Sequence, residues 1–298
     1  MTSTPTPDLV EAVSVAAQRA PISWSSITGR GYTPAERWVV AFDDGTRAFA
    51  KFGTTELVAG WLRREQRAYA EIAGPFMPRM LGWADGQIPV LLLEDLSDAY
   101  WPPPWRTGQI DRMLATLDLV AATPCPDWAT PIGDLDIFDG WSLIAGDPEP
   151  FLGLELVSAA WLDSAMPALL AAQAPDELAG SATLHLDVRS DNVCLRDDRA
   201  LLVDWNLVTR GNPLFDVAAW LPSLAAEGGP LPEEVRPEAG VFAAALAGYF
   251  CSRAPMPTIP DAPRVRQVQL QQARIALPWA ARWLGLPEID GPALGRTG

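Results

Sequence analysis

The stretch His185-Leu186-Asp187-Val188-Arg189-Ser190-Asp191-Asn192, followed by the apolar run Ala200-Leu201-Leu202-Val203 and then Asp204-Trp205, constrains this chain more than any other. Val193-Cys194-Leu195-Arg196 and residues 200–203 flank Asp197-Asp198-Arg199, so the segment reads as a loop feeding a short hairpin whose end presents a carboxylate. Asp187 can accept the proton of an attacking hydroxyl. Asn192 and Asp204 are hard oxygen donors that suit Mg²⁺ and leave coordination positions for phosphates. One short region thus offers both a base and a pair of metal ligands.

A chain of 298 residues with 49% hydrophobic content can bury one large core or two modest ones, which excludes a disordered protein. Cys125, Cys194 and Cys251 are odd in number, far apart and without C-x-x-C spacing. Neither a disulfide framework nor a zinc site is expected from them, and the cytoplasm is the expected compartment. Residues 1–7 lack a basic segment leading into an apolar one, and no apolar run approaches a membrane span, so no membrane association is expected. With 37 acidic against 22 basic residues the net charge is −15, which would repel a polyanion and argues against nucleic acid as a partner. The same charge either concentrates a cationic small-molecule acceptor or only keeps copies of the chain apart, and the sequence leaves both open.

Residues 9–19 read as an opening helix. Residues 22–27 and 37–42 read as strands, and Asp43-Asp44-Gly45-Thr46 turns the second into a third over 47–52. Between the first two lies Thr28-Gly29-Arg30-Gly31-Tyr32-Thr33, in which Gly29 and Gly31 either form an ordinary turn or bring backbone N–H groups to phosphates. Lys51 sits in Ala48-Phe49-Ala50-Lys51-Phe52, which alternates poorly and reads as buried on both faces, where an ammonium is costly unless anions meet it. The helix predicted over 55–73 places Val58, Leu62, Tyr69 and Ile72 at helical spacing with Glu65 on the same stripe, so Glu65 is the expected carboxylate partner. The alternative is a lysine that snorkels and a glutamate that reaches solvent. Strands over 79–83 and 88–93 lead to Glu94-Asp95-Leu96-Ser97, and Trp101-Pro102-Pro103-Pro104-Trp105 then breaks regular structure because each proline fixes φ and removes a donor. Helices are predicted over 108–122, 154–172, 215–224, 238–253 and 265–284. Ala243-Ala244-Ala245 in the fourth favours close helix packing.

The whole constellation, H-x-D-x-x-x-x-N, hairpin, D, with Asn212-Pro213-Leu214-Phe215-Asp216 beyond it, resembles the aminoglycoside phosphotransferase and choline kinase-like branch of the protein kinase-like superfamily. The resemblance implies an α+β, bilobal protein kinase-like fold. Residues 1–96 would be a nucleotide-binding N-lobe with a small antiparallel β-sheet and one main helix. Residues 97–298 would be a larger, mainly helical C-lobe with the catalytic loop and acceptor site. It implies an enzyme that moves the γ-phosphate of ATP or GTP, with Mg²⁺, to a hydroxyl of a cationic small-molecule acceptor. An antibiotic-modifying phosphotransferase is favoured over a metabolic kinase for an amino alcohol, sugar or amino acid. A nucleotide-binding pseudoenzyme that regulates a partner is the reading from a different class, and the joint presence of Lys51, Glu65, Asp187, Asn192 and Asp204 argues against it.

Carried over residue by residue, the resemblance makes Asp187 the catalytic base and Asn192 and Asp204 the metal ligands. Arg189 either neutralises the transferring phosphoryl group or pairs with Asp191 or another local acid. Lys51, Glu65, Gly29 and Gly31 would serve the nucleotide phosphates, and the main chain at Glu94 and Leu96 would read the base edge. His185, the only histidine, is expected to brace the loop, and Asp216 to cap its helix or hold the catalytic loop. Leu186 departs from the glycine usual at its position, and Trp205-Asn206 stands where protein kinases have Phe-Gly. The short Leu207-Val208-Thr209-Arg210-Gly211 leaves no room for a phosphorylated activation loop, which disfavours a eukaryotic-type protein kinase. Among the 13 tryptophans, Trp161, Trp205, Trp220, Trp279 and Trp283 are read as core ahead of acceptor walls.

Overall fold

The turn at Asp43-Asp44-Gly45-Thr46 closes as the sequence predicts. Gly45 takes φ +80°, its amide donates to the Phe42 carbonyl at 3.0 Å, and the Thr46 amide donates to Asp44 Oδ1 at 2.9 Å. This turn sets the register of everything around it, pairing Ala41 with Arg47 and Arg37 with Lys51. The structure is a computed structural model that describes residues 4–27, 35–260 and 262–292. It divides into two units: Met1–Pro102 with Thr107–Pro126 and Ser190–Val208, and Pro103–Arg106 with Asp127–Arg189 and Thr209–Gly298. Gly29 and Gly31 lie outside the described residues.

The first unit contains α1 (Pro7–Ala17), β1 (Ser23–Ser26), β2 (Glu36–Ala41), β3 (Arg47–Phe52), α2 (Glu56–Glu71), β4 (Met80–Ala84), β5 (Val90–Glu94) and α3 (Gln109–Ala122). The strands form one antiparallel five-stranded sheet in the order β1-β2-β3-β5-β4. Period-two alternation splits its faces. Trp38, Val40, Phe42, Ala48, Ala50, Phe52, Val90 and Leu92 cluster with Leu9, Val13 and Ala16 of α1. Arg37, Val39, Phe49, Lys51, Leu91 and Leu93 have the opposite parity and take the other face. β3 therefore does alternate, with alanines and Phe52 beneath α1 and Phe49 and Lys51 opposite. The sequence pattern hid this because both sets are mostly apolar.

α2 begins where Thr55 Oγ1 accepts the Val58 amide at 3.3 Å, and it buries Val58, Leu62, Glu65 and Tyr69 on one stripe. The hairpin strands Val193–Arg196 and Arg199–Leu202 belong to the same unit, with a turn one residue tighter than expected because Arg196 pairs with Arg199. Reciprocal backbone bonds between Tyr100 and Leu195, at 2.8 and 2.7 Å, and the Leu202 amide on the Phe76 carbonyl at 2.8 Å fasten this hairpin in place.

The second unit holds the helices Ala159–Ala171, Leu214–Ala226, Ala243–Arg253 and Val265–Trp283, close to the predicted spans. The predicted helix over 154–172 starts later, because Ser158 Oγ accepts the Trp161 amide at 3.0 Å and Glu155 has φ +57°. The one over 238–253 opens as a 3-10 turn, Pro237–Phe242. The sequence does not show the helix Gly140–Gly146, the short helices Glu149–Leu152 and Pro232–Val235, or a small sheet in which Thr209–Gly211 pairs parallel with Thr130–Pro131 and antiparallel with Ala182–Leu184. Trp161, Trp205, Trp220 and Trp279 are buried as expected, whereas Trp283 is 48% exposed. No helix among the described residues is long and apolar enough to cross a membrane.

Gly140 meets the small-residue helix at its closest point, where an added Cβ would run into the Gly248 carbonyl, and Trp141 Nε1 donates to the Ala244 carbonyl at 2.7 Å. Gly140→Ala should therefore destabilise the protein by about 1–3 kcal/mol through overpacking. The expected reading is a lowered urea midpoint with an unchanged slope, and an unaltered midpoint would contradict this packing.

Candidate active site

Lys51 is brought to a single point by strand parity and Glu65 by helix phase. In the first unit Lys51 Nζ donates to Glu65 Oε2 at 2.6 Å and to Asp204 Oδ1 at 2.7 Å. Lys51 is 7% and Glu65 1% exposed, so the ammonium has exchanged water for two carboxylates. Burial pulls the Lys51 ammonium down, but Asp204 and Glu65 outweigh it and hold the group above its usual value. Burial pushes the Glu65 carboxyl up to about 6, with Lys51 opposing the shift. Asp204 follows the hairpin directly and sits in the left-handed region at φ +68°. The Trp205 ring behind it is fully buried, donates to the Leu202 carbonyl at 2.8 Å and packs 5.6 Å from Phe76.

These three side chains lie in a cleft whose other walls define its chemistry. Ile27, Phe49, Leu93, Leu96, Trp101 and Val203 line an apolar slot. Lys51, Glu65, Asp204, Asn192, Asp191 and Arg37 make the rest polar. Asn192 is 4% exposed, and its carbonyl accepts the Val203 amide at 3.0 Å, which fixes it beside the residue preceding Asp204. The Glu94 amide donates to the Arg79 carbonyl at 2.8 Å, and the Leu96 carbonyl accepts from the Ala99 amide and Trp101 Nε1 at 3.1 and 3.3 Å. The Glu94 carboxylate is occupied by Arg196 at 2.8 Å and Arg79 at 3.6 Å. Arg37 and Asp191 are cleft residues that the sequence reading did not assign. The hairpin register could have shown Arg37, since it places that residue opposite Lys51.

Mg²⁺ prefers near-octahedral oxygen coordination and is commonly held by one or two protein oxygens with substrate phosphates and water completing the shell. The Asn192 amide and Asp204 carboxylate in one polar cleft fit that donor set. No group of three or more His, Cys, Asp or Glu side chains suited to a metal occurs among the described residues.

The remaining site candidates lie together in the second unit. Strand Ala182–Leu184 runs into His185, whose amide donates to Asp216 Oδ2 at 2.6 Å, while the Leu186 amide donates to Asp216 Oδ1 at 2.9 Å. Burial holds the Asp216 carboxyl above its ordinary value, with His185 and these backbone donors opposing the shift only in part. The start of the helix is served instead by Asn212, whose Oδ1 accepts the Leu214 amide at 2.9 Å. Asp216 thus holds the loop and does not cap its helix. His185 is fully buried, with Nδ1 accepting the Asp187 amide at 3.3 Å, a bracing geometry. Leu186, at φ +68°, adopts the conformation that explains a usual glycine. Arg189 pairs with Asp187: one terminal nitrogen donates to Oδ2 at 3.2 Å, and Nε lies 2.9 Å from Oδ1 as an ion-pair contact outside hydrogen-bond geometry.

No protein-family model and no curated protein matches the chain by sequence. Solved structures do match it by fold over nearly its whole length. A spectinomycin phosphotransferase in complex with ADP and spectinomycin is 10% identical with a TM-score of 0.59, over 93% of this chain and 98% of that one. An aminoglycoside phosphotransferase from Alicyclobacillus acidocaldarius subsp. acidocaldarius is 15% identical with a TM-score of 0.55, over 96% of each chain. A choline/ethanolamine kinase family protein from Mesorhizobium loti is 14% identical with a TM-score of 0.58, over 94% of each. At such identities the likeness establishes fold: the chain has the α+β protein kinase-like fold shared by aminoglycoside phosphotransferases and choline kinase-like proteins.

Because the folded value of Glu65 lies above its ordinary one, the folded chain takes up a proton as pH falls through about 6, before the unfolded chain does. Relative to Glu65→Gln, the native protein should thus gain stability as pH falls through about 6 and lose that gain as pH rises back through it. Denaturant titrations of both proteins between pH 5 and pH 8 check the sign, and a pH-independent difference would contradict it.

Proposed function

We propose that this protein is a small-molecule O-phosphotransferase that uses ATP or GTP with Mg²⁺. The observation that carries the reading is the first unit's cleft, where an apolar slot meets Lys51, Glu65, Asp204 and Asn192. A nucleoside has that division, a flat apolar base joined to a polyanion. The slot receives the base, with the Glu94 carbonyl and Leu96 amide reading its edge. Lys51 engages the phosphates and is aimed by Glu65, and Asn192 and Asp204 hold the metal. Held there, Mg²⁺ would supply positive charge against the negative charge that develops during transfer.

Asp187 accepts the proton of the acceptor hydroxyl, because an alcohol attacks poorly until that proton has a destination. The loop that carries it continues directly into the Ser190–Asn192 turn, so base and metal-binding amide belong to one stretch of chain. Arg189, held on Asp187, orients the carboxylate and offers positive charge to the phosphoryl group in transit. His185 and Asp216 keep the loop in shape. The net charge of −15 favours a cationic acceptor, and the structural likeness to a spectinomycin and an aminoglycoside phosphotransferase favours an antibiotic. A metabolic kinase for an amino alcohol is the second reading, favoured by the comparable likeness to a choline/ethanolamine kinase family protein.

The test is Mg²⁺-dependent ADP or GDP release across a panel of aminoglycosides, spectinomycin, macrolides, choline, ethanolamine and amino sugars. Acceptor-stimulated turnover should appear with one class and fall by about 10²-fold or more in Asp187→Ala. Equal turnover in that variant would remove Asp187 from the mechanism. Nucleotide binding without turnover on any acceptor would favour a pseudoenzyme.

A further inference from the structure

The first unit's cleft has a charge problem that its expected residues do not solve. Lys51 is shared between Glu65 and Asp204, so one ammonium already answers two carboxylates. Glu94 and Asp95 bring cations of their own, Arg196 at 2.8 Å and Arg47 at 3.0 Å, and so leave that balance unchanged. Among the described residues lining the cleft, the cations are Lys51 and Arg37. A nucleoside triphosphate would enter with several negative charges of its own.

Arg37 is placed to redress this. It is the cross-strand partner of Lys51 in the β2–β3 ladder, so the two side chains leave the sheet on the same face as neighbours. It is half-buried, lines the cleft, and one terminal nitrogen donates to the Ala35 carbonyl at 2.9 Å, which ties down one end of the guanidinium. A guanidinium stays charged under all ordinary conditions and presents a planar fork of donors that matches phosphate oxygens, which an ammonium cannot do.

We infer that Arg37 is a second phosphate-binding residue of the nucleotide site, pairing with the nucleotide's phosphate chain beside Lys51 and setting how strongly the site prefers nucleotides to nucleosides. The inference rests on the cleft being a nucleotide site. Lys51, held by its two carboxylates, gives position, and Arg37 supplies the attraction for the polyanion that the carboxylates would otherwise cancel.

Calorimetric titration of the full chain with adenosine, guanosine, ADP and GTP, each with Mg²⁺, tests it in wild type, Arg37→Gln and Arg37→Lys. The expected result is a loss of ADP or GTP affinity by about tenfold to a hundredfold in Arg37→Gln, the size of a charge-assisted hydrogen bond. Nucleoside affinity should stay within about twofold, and Arg37→Lys should recover part of the loss because it keeps the charge without the fork. Retained nucleoside binding also shows that the variant is folded. Unchanged nucleotide affinity in Arg37→Gln would overturn the inference. Equal weakening of nucleoside and nucleotide would overturn it too, by assigning Arg37 to the sheet and not to phosphates. Failure of the wild-type protein to bind any of the four would instead remove the nucleotide-site reading on which the inference stands.

Discussion

The ion cluster of Lys51, Glu65 and Asp204 is the constraint on which the rest of the first unit depends. A lysine on a strand covered on both faces cannot stand alone, and deleting one partner of a buried pair costs about 3–5 kcal/mol. Three separate stretches must therefore arrive together: a strand of the five-stranded sheet, the buried stripe of α2, and the end of the 193–202 hairpin. Each is aimed by ordinary means. Parity turns Lys51 away from α1, the Thr55 cap phases α2, and the Tyr100, Leu195, Phe76 and Leu202 backbone bonds seat the hairpin. Such a cluster gives little net stability for its desolvation cost, which fits a group retained for chemistry.

The second unit applies a parallel device to Asp187. A buried carboxylate, Asp216, gathers two consecutive amides, and a buried histidine takes a third, so the loop is held by side chains acting on backbone. Leu186 can then persist at a positive φ that a free loop would abandon, because its surroundings over-determine it. Arg189 completes the arrangement with a hydrogen bond to Asp187 Oδ2 and an ion-pair contact to Oδ1.

What was legible in the sequence follows from how local its cause is. Lys51 and Glu65 could be read as a pair because a charge inside an apolar pattern demands a partner and the helical stripe supplies one, and Asn192 and Asp204 stood out through the loop-hairpin spacing, although the contact of Asp204 with Lys51 did not. The sheet was legible from its turns. Arg37 was overlooked although the Asp43–Thr46 turn already determined its pairing with Lys51, because an arginine at a strand's start reads as an exposed end. Asp216 was left between two roles, and only the positions of Asn212 and the His185 amide separate them. The strands Thr130–Pro131, Ala182–Leu184 and Thr209–Gly211 are too short to carry a period, and the helix Gly140–Gly146 begins on an Asp-Gly pair that signals a turn. Which stretches share a unit is a long-range property that no local period reports.

On the proposed function, Lys51, held by Glu65 and Asp204, marks the phosphate end of a nucleotide site whose base end is the apolar slot. A crystal structure with Mg²⁺ and a non-hydrolysable nucleoside triphosphate tests it most directly. The account predicts the base between Phe49 and Val203 with its edge on the Glu94 carbonyl and Leu96 amide, phosphates at Lys51, and the metal on Asn192 and Asp204. A nucleotide bound elsewhere, with the Lys51 cluster unchanged and its cleft holding only water, would contradict it.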